Sequence, residues 1–81
     1  MSGFSAECIE YRSKAREKFL YLIQKYAPDR EDLISELEKD QNYYQHAKYY
    51  LAEIDRANNW KTNYSDYDLN IVKDLFFYCG G

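Results

Sequence analysis

Two arginines carry the most specific chemistry that the spacing of this sequence suggests. At about 100° per residue, Arg12 and Arg16 fall within the apolar stripe of the helix predicted for the first third of the chain. A guanidinium pair there could bind an anion, because each guanidinium donates in a bidentate geometry. Alternatively, Arg16 forms a salt bridge with Asp40 across an antiparallel helix pair, since an unpaired charge on a packed face is costly.

The single histidine, His46, is the other residue that could do chemistry. The residues three and four positions away on either side are Asn42, Tyr43, Tyr49 and Tyr50. None of them is a carboxylate or a cysteine. A zinc or di-iron site needs several ligands at such spacings, and the chain also lacks HExxH, CxxC, P-loop and dinucleotide-binding patterns. We therefore expect no metal, no cofactor and no enzymatic activity.

Composition restricts the fold class. The chain has 81 residues, 46% of them hydrophobic, with only three glycines and one proline. These values disfavour disorder and turn-rich all-β folds. The longest apolar run, residues 75–79, is far shorter than the ~18 residues of a membrane span, so no membrane association is expected. A single all-α domain over residues 1–81 is the expectation.

Capping signals place three helices, at about residues 5–27, 29–58 and 65–79. Ser5, Asp29 and Ser65 are the predicted N-caps, and Pro28 ends the first helix. The long central helix could bend or break at residues 40–42, where Asp-Gln-Asn interrupts it. Short connections favour an antiparallel three-helix bundle.

Apolar spacing gives a predicted core on each helix. Its members are Cys8, Ala15, Phe19, Leu22, Ile23 and Tyr26 on the first helix, Leu33, Leu37, Tyr44, Ala47, Leu51 and Ile54 on the second, and Leu69, Ile71, Val72, Leu75, Phe76 and Cys79 on the third. Trp60, in the polar loop before the third helix, is expected to cover one end of this core. Cys8 and Cys79 are expected to be reduced thiols of a cytoplasmic protein, since no signal peptide precedes them.

Ten tyrosines are the strongest functional signal, because tyrosine is enriched in recognition surfaces. The doublets Tyr43-Tyr44 and Tyr49-Tyr50 flank His46 on the predicted central helix. Residues 29–40 before them hold six acidic residues against Arg30 and Lys39, a net charge of −4. A partner-binding surface is predicted from residues of both segments: Glu36, Asp40, Tyr43, His46, Tyr49 and Tyr50. The competing interpretation is a tyrosine-rich core margin caused by AT-rich codon usage.

The resulting hypothesis is a small cytoplasmic interaction module that regulates or inhibits a partner protein by covering its surface. Codon bias suggests a bacterium or phage: residues with AT-rich codons number 32, and those with GC-rich codons 14. The net charge of −4 over residues 29–40 would repel phosphates, so nucleic acid is not expected as a partner. Two alternatives remain open: a nucleotide- or small-molecule-binding bundle that uses Arg12 or Arg16, and a purely structural homodimer or other homo-oligomer.

Overall fold

The computed structural model describes the backbone of residues 6–79 and the side chains of residues 13–77 and 79. The predicted cap Ser5 and the side chains of Cys8, Arg12 and Tyr78 lie outside these described residues. Within them the chain is all-helical, with four α-helices and no strand: α1 (Ala6–Tyr26), α2 (Glu31–Lys39), α3 (Ala47–Ala57) and α4 (Asp66–Cys79), with a 3-10 turn at Tyr43–Gln45.

The break in the predicted central helix is real and longer than expected. The sequence predicts one helix over residues 29–58 that could break at 40–42, and the chain instead divides it into α2 and α3. Asp40 has an extended backbone and its carboxylate accepts a hydrogen bond from the Asn42 amide at 2.9 Å. An aspartate bonded in this way competes with the helical hydrogen-bond pattern, which is why the expected count of three helices becomes four.

Helix caps agree with the predictions at one end and differ at another. The Ser65 hydroxyl oxygen accepts a hydrogen bond from the Asp68 amide at 3.2 Å, which confirms Ser65 as the cap of α4. The cap of α2 is Arg30 rather than the predicted Asp29, and no side chain caps that helix. The Arg30 guanidinium is instead bound to Asp32 and to Glu53 of α3, each at 2.9 Å.

The core lies where α1 packs against α2, α3 and α4. Most of the predicted core residues of α1, α2 and α3 are buried: Ala15, Phe19, Leu22, Ile23, Leu33, Leu37, Ala47, Leu51 and Ile54. The core also includes Tyr50, whose ring lies 5.5 Å from that of Phe19. The amphipathic pattern of these helices therefore predicted their buried faces.

The predicted face of α4 needs correction. Leu75 and Cys79 are buried as expected, but Leu69 and Phe76 are 39% and 45% exposed. The buried face instead passes through Asp68, which has no solvent-accessible surface. Trp60 does not cover the core either, because 67% of its surface is exposed.

Candidate functional site

Asp40 organises the break between α2 and α3. One oxygen of its carboxylate, Oδ2, lies 2.7 Å from Nδ1 of His46 and accepts a hydrogen bond from the Tyr50 hydroxyl at 2.8 Å. Burial raises the pKa of Asp40, but the bonds from His46, Tyr50 and the Asn42 amide outweigh this effect, so the pKa is lowered overall. The charged carboxylate thus stabilises the bend between α2 and α3.

Glu36 and Tyr49 extend this arrangement along the outside of the α2–α3 pair. The Tyr49 hydroxyl donates to Glu36 Oε1 at 2.9 Å. Together with His46 these side chains line an open concavity of about 360 Å³. Three residues of the predicted partner-binding set, Glu36, His46 and Tyr49, are therefore adjacent in space. We call them, with Asp40, the bend cluster.

Tyr50 and Tyr43 do not belong to an exposed tyrosine surface. Tyr50 is fully buried, so the prediction that it contacts a partner is wrong; burial and then its bond to Asp40 raise its pKa well above the ordinary value of 10.0. Tyr43 is half-buried against the core. The 3-10 turn at Tyr43–Gln45 changes the direction of the chain, so helical spacing across the break could not predict which rings stay outside.

Arg16 lies opposite Asp40, as the antiparallel register predicted, but it does not bind the carboxylate. Its guanidinium donates to the main-chain carbonyl oxygen of Asp40 at 2.8 Å and lies 4.6 Å above the centre of the Tyr43 ring. The predicted salt bridge is wrong in its acceptor, because three other donors already occupy the Asp40 carboxylate. Arg16 Nε is buried without a partner among the described residues.

A second polar cluster, between α1 and α4, was missed by the sequence reasoning. Asp68 accepts a hydrogen bond from the Tyr21 hydroxyl at 2.7 Å, another from the Tyr26 hydroxyl, and a salt bridge from Lys25 Nζ at 2.8 Å. The bonds from Lys25 and Tyr26 lower the pKa of Asp68 below its ordinary value of 3.8, against the opposing effect of burial. The pKa of Lys25 is raised in return, chiefly by its bond to Asp68.

This cluster determines how α4 is oriented. Asp68 can be buried only where several donors meet it, and α1 supplies all three side chains. Placing Asp68 against α1 rotates α4 so that Leu69 and Phe76 stay partly outside. The spacing of Tyr21, Lys25 and Tyr26 gave no signal of this role in the sequence, because their common partner lies more than forty positions away.

The outer side of α4 carries apolar side chains that stay partly exposed. Leu69, Val72 and Phe76 follow one another at intervals of three and four residues, and Val72 is only partly buried. We call these three residues the α4 strip. Tyr67 lies on another side of the same helix, 72% exposed, and with Ile71, Glu17, Lys18 and Tyr21 lines a concavity of about 250 Å³ against α1.

Trp60 projects from the loop between α3 and α4 on a constrained backbone. Asn59 and Trp60 both have positive φ angles, 56° and 63°. This left-handed conformation is costly for a residue with a bulky side chain. The Asn58 side-chain amide fixes the loop by donating to the carbonyl oxygens of Tyr26 and Ile54, each at 2.8 Å.

The residues that line the bend concavity include His46 held by a carboxylate but no serine, threonine or cysteine to act as a nucleophile. Among the described side chains, no group of three or more histidines, cysteines and carboxylates could hold a metal ion. Within residues 6–79, no helix combines the length and apolar composition that crossing a bilayer requires.

Neither a known protein family, nor a curated protein, nor a solved structure matches this chain. The geometry of the bend cluster and of the α4 strip is therefore what bears on function.

Proposed function

We propose that this chain is a non-enzymatic protein–protein interaction module whose main contact surface is the α4 strip. The observation that carries the proposal is that α4 leaves several large apolar side chains in water: Leu69 and Phe76 are 39% and 45% exposed, and Tyr67 and Phe77 are 72% and 81% exposed. Covering the strip with a partner would remove Leu69 and Phe76 from water.

The exposed residues around α4 are of the type that dominates binding energy at interfaces. Trp60, Tyr67 and Phe76 are aromatic and are exposed on α4 or on the loop that precedes it. Aromatic side chains supply much contact area for little loss of conformational entropy, and tryptophan and tyrosine are over-represented among hot-spot residues. Contiguous apolar area outside a core commonly marks an interaction site.

The bend cluster is the competing, polar candidate for the contact surface. Glu36, His46 and Tyr49 are exposed there, within or close to the acidic segment of residues 29–40. Their polar groups already bond to one another or to Asp40, so a partner at this surface would compete with existing bonds. The α4 strip has no such competition, which is why we favour it.

In this proposal the chain regulates or inhibits a partner protein by covering the partner's surface. It does so in the cytoplasm of a bacterium or in a phage-infected cell. The nucleotide-binding alternative has less support. Its candidate anion ligand Arg16 already donates to a carbonyl oxygen and lies over the Tyr43 ring.

The test places a photo-crosslinking phenylalanine analogue at position 76 or at position 49 of the full chain. These two positions form a matched pair, because Phe76 and Tyr49 are both aromatic and are 45% and 43% exposed. The two variants are irradiated in lysate of the source cells and, separately, as purified protein. Crosslinked species are identified by mass spectrometry.

We expect a discrete crosslinked protein with the probe at position 76 and little with the probe at position 49. A product only at position 49 would transfer the contact surface to the bend cluster. The absence of any discrete product at either position, in lysate and in purified protein, would overturn the interaction function.

A further inference from the structure

We propose that the α4 strip pairs, in antiparallel orientation, with the α4 strip of a second copy of this chain. This inference rests on the proposed function, since it names the occupant of the surface assigned there. It adds a specific register, fixed by two charged residues beside the strip, Asp66 and Lys73.

The two charged residues beside the strip have opposite signs and lie on the same side of α4. Asp66 and Lys73 are seven residues apart, so about two helical turns place them on the same side of α4. Both are exposed, and both lie on the solvent side of the strip formed by Leu69, Val72 and Phe76. When a second α4 runs in the opposite direction, the negative charge of each copy therefore faces the positive charge of the other.

An antiparallel pair with its twofold axis between Leu69 and Asn70 brings Asp66 of one copy opposite Lys73 of the other, and the reverse. Such an interface is isologous, so one pairing produces two equivalent ion pairs. In the same register the two Leu69 side chains meet near the axis. Phe76 lies against the start of α4 and the preceding loop of the second copy.

Competing pairings are electrostatically worse. A parallel pair in register places Lys73 against Lys73 and Asp66 against Asp66, and like charges across an interface disfavour association. The chain also has a net charge of −3, so two copies repel each other at long range unless local pairing compensates. The Asp66–Lys73 pattern supplies that compensation at the strip.

The small size of the strip determines the strength of the dimer. The 14 residues of α4 span about 21 Å, and one helix face of this length buries less than the ~800 Å² per partner of a standard stable interface. We therefore expect a weak dimer, with Kd on the order of micromolar, as is typical of transient interfaces. Raising the salt concentration should weaken it by screening the ion pairs.

The experiment is sedimentation velocity of the purified full chain over a dilution series that brackets the micromolar range. The variants are Lys73→Asp, Asp66→Lys and the double exchange, with Lys48→Asp on α3 as a matched control of the same charge change. Circular dichroism of each variant checks that helicity is kept. Phe76→Ser, which keeps both charges, tests the apolar part of the strip.

We expect the wild-type chain and Lys48→Asp to dimerise with the same Kd, and each single exchange to raise Kd at least tenfold. The double exchange should restore dimerisation, because it reverses both ion pairs, and Phe76→Ser should weaken it. A chain that stays monomeric throughout the series overturns the inference. So does a dimer that is insensitive to the single exchanges or is not restored by the double exchange.

These outcomes are separable from those of the proposed function. A monomeric chain that still crosslinks from position 76 to a different protein leaves the α4 strip as a contact surface and rejects only the second copy. A monomeric chain without crosslinks at either position rejects both.

Discussion

The α2–α3 pair and α4 distribute their apolar side chains in opposite ways. On α2 the two buried residues are leucines, Leu33 and Leu37, while the residues facing solvent are mostly charged. On α4 a carboxylate, Asp68, is buried while Leu69 and Phe76 are exposed. The comparison shows that a clear amphipathic pattern determines a buried face. In α4, whose apolar residues are spread over several sides, one buried polar group selects the face instead.

The polar clusters around Asp40 and Asp68 differ in how far along the chain their hydrogen-bond donors lie. The carboxylate of Asp40 draws its hydrogen bonds from residues no more than ten positions away, so it shapes the chain locally. Asp68 draws its side-chain donors from α1, across the molecule, so it fixes how two helices pack. The cluster around Asp40 therefore stabilises a bend, and the cluster around Asp68 stabilises the packing of α4 against α1.

The largest expected effect contrasts two neighbouring residues of α4. Leu75→Ala removes a fully buried side chain and should lower the free energy of unfolding by about 2–5 kcal/mol. Phe76→Ala removes a ring that is already 45% exposed and should cost less than about 1 kcal/mol. Urea denaturation of both variants measures the difference. Equal losses would mean that α4 is packed on both sides.

Asp68→Asn tests whether the long-range cluster makes stability depend on pH. The pKa of Asp68 is lowered in the folded chain, so its stabilisation is fully present at neutral pH and is lost as the pH falls below the ordinary value of 3.8. The variant should be less stable at neutral pH and should lose less stability on acidification. Thermal unfolding of the variant and of the wild type, at neutral pH and at a pH below 3.8, measures the difference in stability. Asp74→Asn, on the exposed side of α4, serves as the control and should follow the wild type.

Tyr50→Phe and Tyr49→Phe compare a buried with an exposed hydroxyl in adjacent residues at the bend. Removing the buried Tyr50 hydroxyl takes one donor from Asp40 and should cost about 1–2 kcal/mol. Removing the Tyr49 hydroxyl breaks only its exposed bond to Glu36 and should cost less than about 0.5 kcal/mol. Chemical denaturation at neutral pH distinguishes them. The reverse order would contradict the central role of Asp40.

The last prediction is a small stabilisation in the loop between α3 and α4. Trp60→Gly relieves a left-handed backbone conformation and should raise the free energy of unfolding by about 0.5–1 kcal/mol, since the exposed ring contributes little to the core. Asn59→Gly should gain less, because asparagine tolerates this conformation. A loss of stability in Trp60→Gly, measured by thermal unfolding, would show that the ring packs on the fold.

The sequence alone determined the all-helical class, the Ser65 cap and the buried faces of α1, α2 and α3. These features depend on local hydrogen bonding and on the period of the apolar residues, which are readable within one segment. Residues 40–42 already marked where the central helix could break. The opposition of Arg16 and Asp40 also followed from an antiparallel pair of helices joined by a short turn.

Only the tertiary structure decided which side of α4 is buried, which carbonyl Arg16 binds and which tyrosines stay outside. Each depends on partners far apart in the chain: Asp68 on Tyr21, Lys25 and Tyr26, and Tyr50 on Phe19 as well as Asp40. A buried charge is tolerated only where several donors converge, and such convergence is a property of packing rather than of any one stretch of sequence.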